Sequence, residues 1–170
     1  MSKEENILRL FFNESSKHWH FEEILRESRI SRDKLNKWLK KFLHEKLIKK
    51  IKGKKKRPYY IADFENASYK NKKKLYALEQ FYKTGFLNHL MEMDAKTVVI
   101  FGSFARADWH TNSDIDIFIL GDAKEFQQAF YEKKLGRVLQ LFIYKNKRSI
   151  QKGLLKSISE GYTVKGNLNA

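Results

Sequence analysis

Residues 101–120 read FGSFARADWHTNSDIDIFIL and set two carboxylates, Asp114 and Asp116, into an otherwise apolar, β-branched run. Asp114, Asp116 and Phe118 fall on one side of the alternation and Ile115, Ile117 and Ile119 on the other, the pattern of a strand. One buried charge without a partner is costly, and two like charges side by side are costlier. A strand that carries both must meet a positive group there. Hard oxygen donors two residues apart on one strand face suit a divalent cation, Mg²⁺ or Mn²⁺, completed by water and phosphate oxygens.

The preceding β-branched run, Lys96 to Phe101, ends at Gly102-Ser103, a strand entering a tight turn. Glycine admits a close approach of backbone, and free N–H groups with a serine hydroxyl at a helix start make a phosphate cradle. A phosphate cradle beside a carboxylate pair points to phosphoryl or nucleotidyl transfer, where positioning and charge stabilisation do most of the catalysis.

Gly102-Ser103, a polar loop, and then Ser113-Asp114-x-Asp116 on an apolar strand resemble the signature of the DNA polymerase β nucleotidyltransferase superfamily, above all its minimal nucleotidyltransferase branch. The similarity runs on through a helix (Ala123 to Leu135), the strand LGRVLQLFIY and the closing ISEGYTVKG, and covers roughly residues 90–166. Ala107 stands where that family usually has glycine. The resemblance implies that Asp114 and Asp116 are catalytic and hold the metal, and that Gly102, Ser103, Arg106 and Ser113 contact a nucleoside triphosphate. The expected reaction moves a nucleoside monophosphate from that triphosphate to an acceptor.

The family also takes a third carboxylate from the next strand. Aligning LGRVLQLFIY by its Leu-Gly-Arg start puts Gln140 at that position, and residues 133–159 contain no Asp or Glu. Glutamine accepts and donates hydrogen bonds but is no base. Three readings stay open: transfer with solvent taking the proton, nucleotide binding without chemistry in a sensor, and a scaffold used for dimerisation. Within the loop, Trp109 is either a base platform or a side chain packed on its own domain, and Arg106 meets either a phosphate or Asp108.

Charge divides the chain. The net charge is +15, and residues 1–75 hold 22 Lys/Arg against 10 Asp/Glu while residues 76–170 hold 13 against 10. A polyanion is the expected partner of the first part. Helical spacing appears at Ile7, Leu10 and Phe11, then at Phe21, Ile24 and Leu25. A longer helix follows from an N-cap at Ser31 through Leu35, Trp38, Leu39, Phe42 and Leu43, which turns Lys37, Lys40 and Lys41 outward. Residues 46–57 then carry eight Lys/Arg and no acid, between apolar ends suited to a hairpin. Three short helices and a basic hairpin resemble a winged helix-turn-helix domain, a family whose third helix reads the major groove and whose wing touches phosphates. The matching positions are Lys37, Lys40 and Lys41 on the helix and Lys54, Lys55, Lys56 and Arg57 on the wing. A small helical interaction module with solvated lysines is the alternative.

With no cysteine, disulfides and thiolate metal sites are excluded, which fits a reducing compartment. No apolar stretch reaches the length of a membrane span and MSKEENILRL has no leader pattern, so a cytoplasmic location is expected. The five histidines lack zinc-site spacing; His18 and His20 flank Trp19, where capping or packing is expected. The expected chain is α+β: a winged helix over 1–65, a connecting helix over 66–92 broken near Thr84-Gly85, and a small α/β nucleotidyltransferase fold with a mixed sheet over 93–170. Its expected partners are double-stranded DNA and a nucleotide, with no membrane, and winged-helix regulators are commonly homodimers. The competing function is a transcriptional regulator whose second domain binds nucleotide without catalysis.

Overall fold

A computed structural model describes residues 2–53 and 56–168. The chain forms two compact units, Met1–Lys73 and Lys74–Ala170.

The first unit opens with α1 (Lys3–Asn13), capped by Ser2: its hydroxyl accepts from the Glu5 N–H at 3.1 Å and the Glu5 carboxylate accepts from the Ser2 N–H at 2.7 Å. Helices α2 (Phe21–Ser28) and α3 (Arg32–His44) follow. Ser31 stands at the N-cap of α3 but its side chain makes no capping hydrogen bond; its carbonyl accepts from Leu35 N–H instead, at 2.9 Å. Leu35, Leu39 and Phe42 are buried on the inner side of α3, with Trp38 and Leu43 half-buried, and Lys37, Lys40 and Lys41 are exposed. Strands β1 (Ile48–Ile51) and β2 (Tyr59–Ala62) pair antiparallel, with Ile48 opposite Ala62 and Ile51 opposite Tyr59. Trp19 extends this pair by a single bridge to Tyr60, its N–H and C=O both bonded at 2.8 Å.

Helix α4 (Ala67–Lys83) runs through the boundary between the units, and α5 (Phe86–Glu92) follows. Gly85 parts them at a φ of 76°, a left-handed conformation that glycine adopts without a Cβ penalty.

The second unit is built on a mixed sheet in the order β5-β4-β3-β6, from β3 (Ala95–Phe101), β4 (Ile115–Gly121), β5 (Leu139–Tyr144) and β6 (Tyr162–Lys165). The β3–β4 and β3–β6 pairs are antiparallel and β4–β5 is parallel. Both faces are covered, so the expected alternation in β4 separates two buried layers rather than core from solvent. On one face Val99, Phe101, Phe118 and Leu120 pack with Ile158 of α8 (Lys152–Ser159) and with Ile150. On the other, Ile115, Ile117 and Ile119 are fully buried, and rings from α4, α5 and α7 (Gln128–Leu135) meet, with Phe86 5.5 Å from Phe81 and 5.3 Å from Tyr131. The helix expected from Ala123 begins only at Gln128, because the Asp122 carboxylate accepts from the Lys124 N–H at 2.9 Å and holds a turn there. Among the described residues no helix is long and apolar enough to cross a membrane.

Phe118 is fully buried at the centre of this sheet. Phe118→Ala is expected to lower stability by about 3–5 kcal/mol, measured as a shift of the urea midpoint.

Candidate functional site

The site begins where β3 ends. Phe101 lies opposite Asp116 in the antiparallel register, so the turn leaving β3 passes directly over that carboxylate. Gly102 adopts φ 71° and ψ −143°, and a Cβ at this position would sit 2.1 Å from Asp116 Oδ2. Only a residue without a side chain admits the carboxylate this close to the main chain. A single helical turn follows, α6 (Ser103–Arg106), which closes with Arg106 N–H bonded to Gly102 C=O at 3.2 Å and Asp108 N–H to Ser103 C=O at 3.1 Å. The opening N–H groups of such a turn have no helical acceptor and are donors for a ligand.

Asp116 is half-buried and Asp114, just before β4, is exposed. Burial raises the Asp116 pKa above the usual carboxylate range, the charge of Asp114 pushes it the same way, and Arg106 opposes them. The two carboxylates therefore repel one another, and Arg106 offsets only part of the cost. Gln140 is the register partner of Asp116 across the parallel β4–β5 pair, so both side chains belong to one sheet face. The structure thus places a neutral amide immediately beside Asp116. Among the described residues no third His, Cys, Asp or Glu completes a metal-binding group with the pair.

The loop between α6 and β4 is held from several sides. Arg106 reaches Asp108 through Nε at 2.9 Å, both side chains about half-exposed, so its guanidinium is engaged by the loop in this structure. Trp109 is buried, stacked on Phe104 at 5.1 Å with the rings 7° apart, which makes it a packing residue rather than a free platform. Ser113 Oγ accepts from the His110 N–H at 2.9 Å and ties the loop just before Asp114.

Arg137 does the most here, and it entered the sequence reading only as a point of alignment. Its Nη1 donates to the carbonyls of His110, Thr111 and Ser113 at 2.9, 3.0 and 3.0 Å, while the guanidinium lies 5.1 Å from both the Phe104 and Trp109 rings. One cation thus fixes the loop that delivers Asp114 against the turn that carries Ser103. A basic residue between a turn glycine and an apolar strand is the only local signal of this role, and it is too common to be read from sequence.

The structure therefore brings together Gly102, Ser103, Asp114, Asp116 and Gln140 at one end of the sheet, with Ser113 and Arg106 in the loop beside them. The basic residues Lys37, Lys40, Lys41, Lys56 and Arg57 belong to the other unit. Lys54 and Lys55 lie outside the described residues.

Two outcomes are expected. Gly102→Ala should destabilise the protein by about 1–3 kcal/mol through overpacking against Asp116, read in a denaturant titration. Asp116 has a higher pKa folded than unfolded, so between those values the folded state holds more protons and stability falls as pH rises. The penalty is absent below the unfolded carboxylate value and complete above the raised one. Asp116→Asn never ionises, so in chelator it should melt above the wild type at pH 7 and converge with it near pH 3 in calorimetry.

No match was found among curated proteins or among solved structures. Residues 85–164, however, match the family model of the nucleotidyltransferase domain, and the mixed four-stranded sheet that presents Gly102, Ser103, Asp114 and Asp116 fits that fold.

Proposed function

We propose that the chain is a nucleic-acid-binding protein whose second unit is a metal-dependent nucleotidyltransferase, moving a nucleoside monophosphate from a nucleoside triphosphate to an acceptor. The observation that carries this reading is Gly102 seated against Asp116, with Asp114 on the same side. Two interacting carboxylates that Arg106 only partly offsets fit Mg²⁺ or Mn²⁺, and Asp114 and Asp116 would hold it. Such an ion stabilises charge developing on phosphoryl oxygens. The chain's own part is to bind and orient: the N–H groups of the Gly102-Ser103 turn and the Ser103 hydroxyl take the phosphates. Ser113 keeps the loop in place, and Arg106 is free to exchange Asp108 for a phosphate oxygen with little loss, because exposed ion pairs contribute little.

In transfer, an acceptor hydroxyl attacks the α-phosphorus, pyrophosphate leaves, and the hydroxyl proton goes to water, since Gln140 cannot take it. The same residue favours a second reading, in which the domain binds nucleotide and signals without transferring it.

The nucleic-acid half of the proposal rests on the first unit. Its three helices and antiparallel hairpin agree with a winged helix, with exposed Lys37, Lys40 and Lys41 on α3 and Lys56 and Arg57 before β2. Duplex DNA is the polyanion such a helix and wing would meet.

Label transfer from each α-labelled nucleoside triphosphate, with Mg²⁺ or Mn²⁺ and a pool of nucleic acid as acceptor, separates the readings. Wild type should transfer label, Asp114→Ala/Asp116→Ala should fall to background, and Gln140→Asp should gain about 10²–10⁴-fold if a general base is what is missing. Nucleotide bound by wild type, with no transfer from either wild type or Gln140→Asp, would establish the sensor instead.

A further inference from the structure

The triplet His18-Trp19-His20 plays no part in the site described above. The Trp19–Tyr60 bridge makes this segment a short extension of the hairpin, and strand alternation then sends the buried Trp19 inward and both histidines to the opposite side. On that side is a concave space of about 470 Å³ whose lining includes His18, His20, Lys56, Arg57 and Tyr59, and no acidic residue among those described. The His18 ring lies flat on Tyr59, 4.0 Å away at 17°, so its plane is fixed. His20 Nδ1 is 3.1 Å from the Pro58 carbonyl oxygen. A carbonyl only accepts, so Nδ1 carries the hydrogen and Nε2 is the nitrogen left to gain a second proton and donate it.

The surrounding charges are accounted for element by element. Glu23 of α2 directs a carboxylate oxygen to the His20 N–H at 3.0 Å, and Glu22 is taken by Arg32 at 2.9 Å. Lys17 sits 3.7 Å from the Trp19 ring and 3.7 Å from Glu14. On the hairpin, Lys56 and Arg57 are exposed and have no ion-pair partner among the described residues. The pocket therefore offers four groups that are, or become, cationic.

We propose that this pocket binds a backbone phosphate of nucleic acid, and binds it more tightly when His18 and His20 are protonated. The choice of nucleic acid rests on the reading of the first unit given above. Each imidazolium adds a positive charge and an N–H donor beside Lys56 and Arg57, and a phosphate seated there is attracted to both. Proton uptake and phosphate binding are thus linked, and each favours the other. A phosphodiester keeps its single negative charge between pH 6 and 8, so any change of affinity over that range comes from the protein.

The test is fluorescence anisotropy of a labelled mixed-sequence duplex with the full chain, in a salt series at pH 6 and pH 8. Wild type should bind about tenfold or more tighter at pH 6, with a log–log salt slope steeper by about 0.9 for each additional phosphate neutralised. His18→Gln/His20→Gln should bind equally at both pH values, at the wild-type pH 8 affinity, whereas Lys56→Ala/Arg57→Ala should weaken binding at both. Duplex binding that ignores pH, or a pH dependence that survives in the histidine variant, overturns the proposal and leaves the nucleic-acid reading standing. Should the double variant fail to melt cooperatively, the exposed single change His18→Gln is expected to remove part of the pH dependence. Absence of duplex binding by wild type removes the nucleic-acid reading, and pyrophosphate titrated into the wild type by NMR then decides the pocket. Shifts of the His18 and His20 ring resonances at pH 6 and not at pH 8 keep it as a phosphate site; no shift overturns it.

Discussion

The antiparallel register of β3 and β4 sets Phe101 opposite Asp116, and the candidate site follows from that pairing. It brings the turn after β3 onto the carboxylate and makes glycine a steric requirement at residue 102. A second register, the parallel pairing of β4 with β5, decides what stands on the far side of Asp116, which is Gln140. A slip by one residue would send Asp116 to the face occupied by Ile115 and Ile117 and bury an ion among branched aliphatic side chains. The apolar layers on both faces of β4 oppose that slip, so packing energy holds the carboxylate in place.

Electrostatics then separates what packing has arranged. Asp116 is raised by burial and by Asp114, and Arg106, its nearby opposing charge, is tied to Asp108. Such a pair is unfavourable alone and becomes favourable with a cation. On the proposed reading, a neutral Gln140 leaves the site one negative charge short of three carboxylates and offers no base. In the first unit the sign is reversed: Lys41 on α3 is met by Glu4 and Glu45, while Lys37, Lys40, Lys56 and Arg57 stand exposed.

Much of the second unit could be read in advance because its information is local. Alternation in 114–120 announces a strand, Gly102-Ser103 announces a turn, and the break at Gly85 is carried by one residue with a positive φ. Where the structure departs from local expectation or decides between alternatives, specific side-chain contacts are responsible, which residue type alone does not fix. The segment after Gly121 has helix-compatible residues from Ala123, yet the Asp122 side chain captures the Lys124 N–H and delays the helix. Ser31 has the right chemistry for a cap and does not use it. Trp109 offered two roles, and a parallel stack on Phe104, five residues earlier in the chain, decides for packing.

The amino-acid sequence by itself determined the elements, the carboxylate pair with its glycine turn, the displaced charge of the first 75 residues, and the absence of an acid between residues 133 and 159. These are properties of composition and short-range spacing, and they do not depend on how the chain closes. Only the tertiary structure decided that Gln140 lies in register with Asp116, that Arg137 pins the loop carbonyls of His110, Thr111 and Ser113, and that His18 and His20 share a pocket with Lys56 and Arg57. Each of these joins residues from about 24 to 39 positions apart. Such contacts are selected by the packing of whole layers, and no local pattern of the chain encodes them.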